Sequence, residues 1–240
     1  MYGKGLRPLS IATPVAFAIT LSLVFFYAPI EADQGFLQKI FYLHVPLAIV
    51  SLCGFIVGGI FAIFHLRRDD PRYDAYSYVA IHISVIFACG ALITGSIWAK
   101  GSWGHWWVWN EPTLVSFLIV FLLYATYYPF RYAIEDRHRQ ARYASVFAIT
   151  AGAFVPLNFM AVRASASLVH PRVFATAEGG LPGSMMLTFL CAIASMALLW
   201  TTLVKFELSA KSAQGQLKRL RRALDAPTGP PTSRIAPEVH

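Results

Sequence analysis

Five of the six tryptophans in this 240-residue chain, Trp98, Trp103, Trp106, Trp107 and Trp109, fall within twelve consecutive residues. Gly101, Gly104 and His105 are interleaved with them. An aromatic belt at lipid headgroups is one explanation, because indole rings favour that interface. Belts spread a few aromatics over several helix ends, however, whereas these crowd one short loop. A segment so rich in flat faces can form a platform for a large planar ligand. Trp103, Trp106 and Trp107 have i, i+3, i+4 spacing and share a face if the loop is helical. Indole nitrogen only donates hydrogen bonds, so metal ligation would fall to histidine, whose neutral ring nitrogen suits iron. Seven histidines are available.

The elements that must position these residues follow from composition. Hydrophobic residues make up 57% of the chain and charged ones 13%, which describes a chain written for lipid. Apolar runs of about 20 residues span the hydrocarbon layer as helices, which satisfy their own backbone groups. Six such runs are predicted: Leu9–Ala28, Phe41–Leu66, Tyr76–Ala99, Thr113–Phe130, Tyr143–Arg163 and Gly183–Val204. The first exceeds a signal-peptide core, and no convincing small-residue cleavage site follows Tyr27, so it reads as a retained span. The fold class is therefore an all-α integral membrane protein of six transmembrane helices. Residues 1–206 form the membrane domain, and 207–240 a basic, then proline-rich, largely disordered tail.

With the N-terminus inside, sixteen of the twenty Lys and Arg residues fall on inner segments, and only Lys39, Lys100, Arg163 and Arg172 on outer ones. This asymmetry predicts that both termini are cytoplasmic. It also accounts for the net charge of +8 by orientation and contact with anionic lipid, without nucleic acid. Cys53, Cys89 and Cys191 lie in spans, outside any CxxC motif, and read as small buried apolar residues. Gly54 and Gly58 form a small-xxx-small pair suited to close helix packing within the chain. The tail can continue as a basic helix through Gln216–Arg222.

Topology sorts the histidines. His65 and His138 lie in or beside inner loops and His240 ends the tail, so these three read as solvated surface. His82, within the third span, reads as a hydrogen-bonded interhelical residue. His44 opens the second span from outside, with Pro46 expected to mark the helix start. His105 sits in the tryptophan loop and His170 in the outer segment Ala164–Pro182, where Pro171 favours an extended or turn conformation. On spacing alone, each of these three is a candidate ligand.

Gly95-Ser96-Ile97-Trp98, followed by Trp103-Gly104-His105-Trp106-Trp107-Val108-Trp109-Asn110, resembles the WGxxWxWD signature of the WWD-domain haem-handling family, most closely its CcmC branch of cytochrome c maturation. Tyr42-Leu43-His44-Val45-Pro46 is similar to the family segment bearing the first outer histidine. Val155-Pro156 with Ser167-Leu168-Val169-His170-Pro171 is similar to the one bearing the second. The resemblance covers nearly the whole chain. It implies that His44 and His170 are axial ligands of a transiently and non-covalently held haem b. It further implies that Trp103, Gly104, Trp106, Trp107, Trp109 and Asn110 support the porphyrin, with His105, Trp98 and Glu111 at the rim. Two departures stand out. Asn110 replaces the signature's final Asp, with Glu111 following immediately, and Val162–Ser167 lacks the tryptophans seen there in many relatives.

The implied function is capture and presentation of haem rather than catalysis. The partners it implies are a periplasmic CcmE-type haem chaperone, CcmA/CcmB-type ABC transporter subunits, a small CcmD-type membrane subunit and membrane lipid. No GxxxxGK[ST] nucleotide loop is present. A cytochrome c synthase subunit shares the tryptophan loop but generally works with a large periplasmic region, whereas these outer loops reach at most about 20 residues. A b-type respiratory subunit would need paired histidines at membrane depth, where only His82 qualifies.

Overall fold

A computed structural model of the protein describes residues 3–164, His170 and residues 181–225, without the side chains of 161–164. Six of its helices are long and apolar enough to cross a membrane. They are α1 (Leu6–Ser22), α2 (Phe41–Arg68), α3 (Pro71–Trp103), α4 (Pro112–Tyr132), α5 (Arg137–Ala164) and α6 (Gly183–Asp225). A π-turn, Leu23–Tyr27, prolongs α1, and a 3-10 turn, Phe36–Ile40, leads into α2. All six expected spans are present. The segments 165–169 and 171–180, with Pro171 and Arg172, lie outside the described residues, as do 226–240 with His240.

The helices overrun the apolar stretches where charged turns were expected. The α2–α3 connection is only Asp69 and Asp70, with Asp69 left-handed at φ 50°. Asp70 then caps α3, its carboxylate accepting the Arg72 N–H at 2.9 Å, and Pro71 occupies the first helical position, where its missing N–H costs nothing. The Arg72 side chain hydrogen-bonds the same carboxylate and holds it below the ordinary range. This pairing therefore contributes above the carboxylate's unfolded pKa and fades as pH falls through the lowered one. His65, expected at the surface, is buried beneath this turn and donates from Nδ1 to the Asp70 carbonyl at 3.1 Å. It closes the turn rather than meeting water. His138 is at the surface beside Asp69.

The main core joins α2, α3, α4 and α5 around Phe55, Ile81, Tyr124, Ala148 and Val155. The Phe55 and Tyr124 rings stack at 3.8 Å and 4°. Hydroxyl pairs hold α1 to α6: Thr13 to Thr202 and Thr20 to Ser195, each at 2.8 Å. His82 joins α3 to α4 through the Tyr128 hydroxyl at 3.0 Å, the interhelical role expected of it. The cysteines do not enter the core. Cys53 and Cys89 face outward and Cys191 is half-buried, because their helix faces are turned to where lipid, also apolar, accepts a thiol.

The glycine pair serves packing inside the chain. A Cβ on Gly54 would lie 2.7 Å from Trp200 Nε1 and still nearer the Ser84 hydroxyl, and one on Gly58 would lie 2.7 Å from Ile81 Cγ1. Trp200 donates to Ser84 Oγ at 3.0 Å, so α2, α3 and α6 meet at Gly54. Gly54→Val is expected to destabilise the bundle by about 1–3 kcal/mol, the range for overpacking a close contact. Thermal unfolding in detergent measures it, and an unchanged midpoint would show that the junction yields.

Candidate functional site

The residues singled out in the sequence gather at the end of the bundle formed by the 3-10 turn, the start of α2, the end of α3 and the start of α4. α2 begins at Phe41, so Pro46 lies inside the helix and not at its start. His44 consequently sits on an established helical turn facing α3. Its Nδ1 lies 2.9 Å from the Ala91 carbonyl oxygen and 3.2 Å from Thr94 Oγ1. A carbonyl only accepts, so Nδ1 carries the proton and Nε2 carries the lone pair. That is the arrangement of metal-binding histidines, whose second ring nitrogen is typically fixed by a carbonyl or carboxylate.

Gly95 makes room for the ring: a Cβ there would lie 2.6 Å from His44 Cε1. Trp98 closes the next turn of α3, its ring edge-on to His44 at 5.9 Å and 75°. Trp98 is itself buried and donates to Gln34 Oε1 at 2.7 Å, which ties the α1–α2 connection to α3. Trp98, expected at the rim, is thus a buried residue beside His44.

α3 ends at Trp103 because Gly104 takes φ 78°, a left-handed cap whose N–H bonds the Lys100 carbonyl at 3.1 Å. The residues after it are not helical, so Trp103, Trp106 and Trp107 do not share a helix face. Trp103 meets His170, ring to ring at 6.2 Å and 65°. Trp107 is half-buried against Trp109, with centroids 6.0 Å apart, and its Nε1 has no hydrogen-bond partner among the described residues. Trp106 and Trp109 are 60% and 73% exposed, an apolar surface at this end of the bundle. His105 is exposed, apart from the His44 and His170 contacts.

The adjacent pair Asn110 and Glu111 splits. Asn110 is exposed and Glu111 is completely buried, one of its carboxylate oxygens accepting the His170 N–H at 3.3 Å. His170 is half-buried, against Trp103 on one side and Glu111 on another. The structure thus joins His44, Trp98, Trp103, Glu111 and His170 in one locality and leaves His105 and Asn110 on its surface. Ala91, Thr94 and Gln34 are positioning groups that residue type and spacing do not single out. A main-chain carbonyl leaves no mark in a sequence, and Gln34 lies in a short connection with no periodicity.

The family sequence model described as "Heme exporter protein C" matches residues 1–223. The chain belongs to the haem exporter protein C family. Among haem exporter C proteins, that of Rhodobacter capsulatus is 32% identical over 134 residues, 56% of this chain and 55% of the relative. The Bradyrhizobium diazoefficiens haem exporter protein C is 31% identical over 177 residues, 73% of this chain and 67% of its own. A mitochondrial ccmC-like relative in Marchantia polymorpha, named for cytochrome c biosynthesis, is 38% identical over 109 residues, covering 45% of this chain and 46% of the relative. The chain thus spans about half to two thirds of the length of the curated relatives it matches.

Proposed function

We propose that this haem exporter C family member binds haem at the outer face of the inner membrane and presents it for cytochrome c maturation. His44 and His170 are its axial ligands, and Trp98, Trp103, Trp107 and Trp109 border the porphyrin. The observation that carries this reading is the state of His44: Nδ1 is committed to the Ala91 carbonyl, which leaves Nε2 as an iron donor, at the same end of the bundle where His170 meets Trp103. Haem is cargo here. The chain's residues hold it through iron and leave an edge open at the exposed Trp106 and Trp109.

The recipient is a periplasmic CcmE-type chaperone. The companions are ABC transporter subunits of CcmA/CcmB type and a small CcmD-type membrane subunit, with both termini cytoplasmic. Support for this orientation comes from the sixteen-to-four bias of basic residues.

Purification in detergent with co-purifying haem, followed by absorption spectroscopy, tests the ligand pair. Wild type is expected to give a six-coordinate, low-spin spectrum. His44→Ala and His170→Ala should each lose it, while Trp107→Ala lowers haem occupancy yet keeps six-coordination in what remains, since indole supplies no ligand. Loss of six-coordination in His105→Ala with retention in His170→Ala would overturn the pair.

A further inference from the structure

We propose that Glu111 is a positioning residue for the second haem ligand, its carboxylate holding the main chain at His170 so that the imidazole stays against Trp103, at the same end of the bundle as His44. The inference rests on the haem reading above and adds to it a residue outside the ligand pair and the tryptophan platform.

Three observations converge. Glu111 is completely buried although it lies in a loop end between two spans, and burying a carboxylate is costly unless specific partners compensate it. It occupies the N-cap position of α4, where a side-chain acceptor ordinarily bonds the second or third backbone N–H of its own helix. Here the side chain makes no such cap bond. It turns instead to a residue 59 positions away and accepts the His170 N–H. A carboxylate that forgoes its helix cap for the distant His170 N–H is holding that residue in place.

The backbone explains the choice of residue. Glu111 is extended, at φ −89° and ψ 110°, and Pro112 begins α4. Extended backbone sends successive side chains to opposite sides, which places Asn110 outside and Glu111 inside. The chain thereby links both halves of the site. The tryptophan loop ends at Glu111, and Glu111 holds the segment bearing His170.

The test uses the full-length protein in detergent, with two readouts. In the haem-free protein, hydrogen–deuterium exchange of the peptide containing His170 reports the link directly. Glu111→Ala should speed it about tenfold or more, the equivalent of a hydrogen bond to a charged acceptor. Glu111→Gln, which keeps an acceptor oxygen, should restore most of the protection. In the haem-loaded protein, Glu111→Ala should convert the low-spin spectrum to a mixture with five-coordinate, high-spin haem, and added imidazole should restore the low-spin form. Glu111→Gln should stay largely low-spin. Unchanged exchange in Glu111→Ala would overturn the proposal whatever the spectrum does. Faster exchange together with wild-type ligation would overturn its functional half. If exchange rises but neither wild type nor any variant holds haem, the latch stands and the haem reading falls. The thermal midpoint of Glu111→Gln checks that the bundle is intact.

Discussion

Gly95→Ala is expected to abolish six-coordinate haem binding nearly as completely as His44→Ala, although glycine ligates nothing. The added methyl would sit 2.6 Å from His44 Cε1 and 3.1 Å from Nδ1, well inside van der Waals contact. Gly95 lies well inside α3, whose backbone cannot retreat without disturbing its own ladder. The imidazole must therefore move, and it is confined by its bond to the Ala91 carbonyl and by Trp98 on the next turn. Moving it breaks the hydrogen bond from Nδ1–H to the Ala91 carbonyl that fixes the tautomer, so Nε2 is displaced and no longer reserved for iron. Outer-shell changes of this kind typically cost about 10- to 100-fold in metal affinity. The same substitution favours helix by about 1 kcal/mol, so the haem-free thermal midpoint should fall little or even rise. Haem titration and thermal unfolding of one preparation separate the effects. Wild-type haem affinity in Gly95→Ala would show that His44 does not hold iron from this position.

The spans are legible in the sequence because lipid imposes a length and an apolar composition on every crossing helix. Their ends are not. Arg67, Arg68 and Arg72 have the composition of a loop, but nothing in a charge prevents a helix from continuing past the membrane, and only Asp69 and Asp70 form the turn. His65 shows the consequence. Its charged neighbours point to the surface, whereas its position on the helix face decides burial. The helical face expected for Trp103, Trp106 and Trp107 fails on Gly104, whose place after a long helix is itself the signal for a left-handed stop.

The candidate site is legible in part, and mainly through resemblance. Spacing alone leaves His44, His105 and His170 equal. What distinguishes them is long-range: a carbonyl on α3 that binds one, and a tryptophan and a glutamate flanking the α3–α4 connection that hold another. Glu111 is visible as a nearby carboxylate, but which of Asn110 and Glu111 turns inward depends on extended backbone ahead of Pro112. The candidate residues are therefore local in type and distant in partner, and a distant partner leaves no local pattern to read.

At the other end of the bundle, Arg131→Met is expected to destabilise the protein more than Gly54→Val does. The two terminal guanidinium nitrogens of Arg131 meet both oxygens of Asp74 at 2.7 Å, joining the last turn of α4 to the first turn of α3. The side chains are only 10% and 16% exposed. Tyr127 bonds the same guanidinium at 3.0 Å, and the Tyr78 ring lies 5.2 Å beneath it. Removing the cation leaves Asp74 buried without its partner, a penalty of about 3–5 kcal/mol. Replacing both residues removes the stranded charge as well, so Arg131→Met with Asp74→Leu should recover most of the loss. Thermal or denaturant unfolding of the two single variants and the double one gives the coupling directly. Because the pair lies at the end away from His44 and His170, haem ligation in the folded fraction of every variant should keep its wild-type spectrum. Equal losses in the double and single variants would mean that Arg131 contributes packing rather than charge, and a changed spectrum would mean that the two ends of the bundle are mechanically linked.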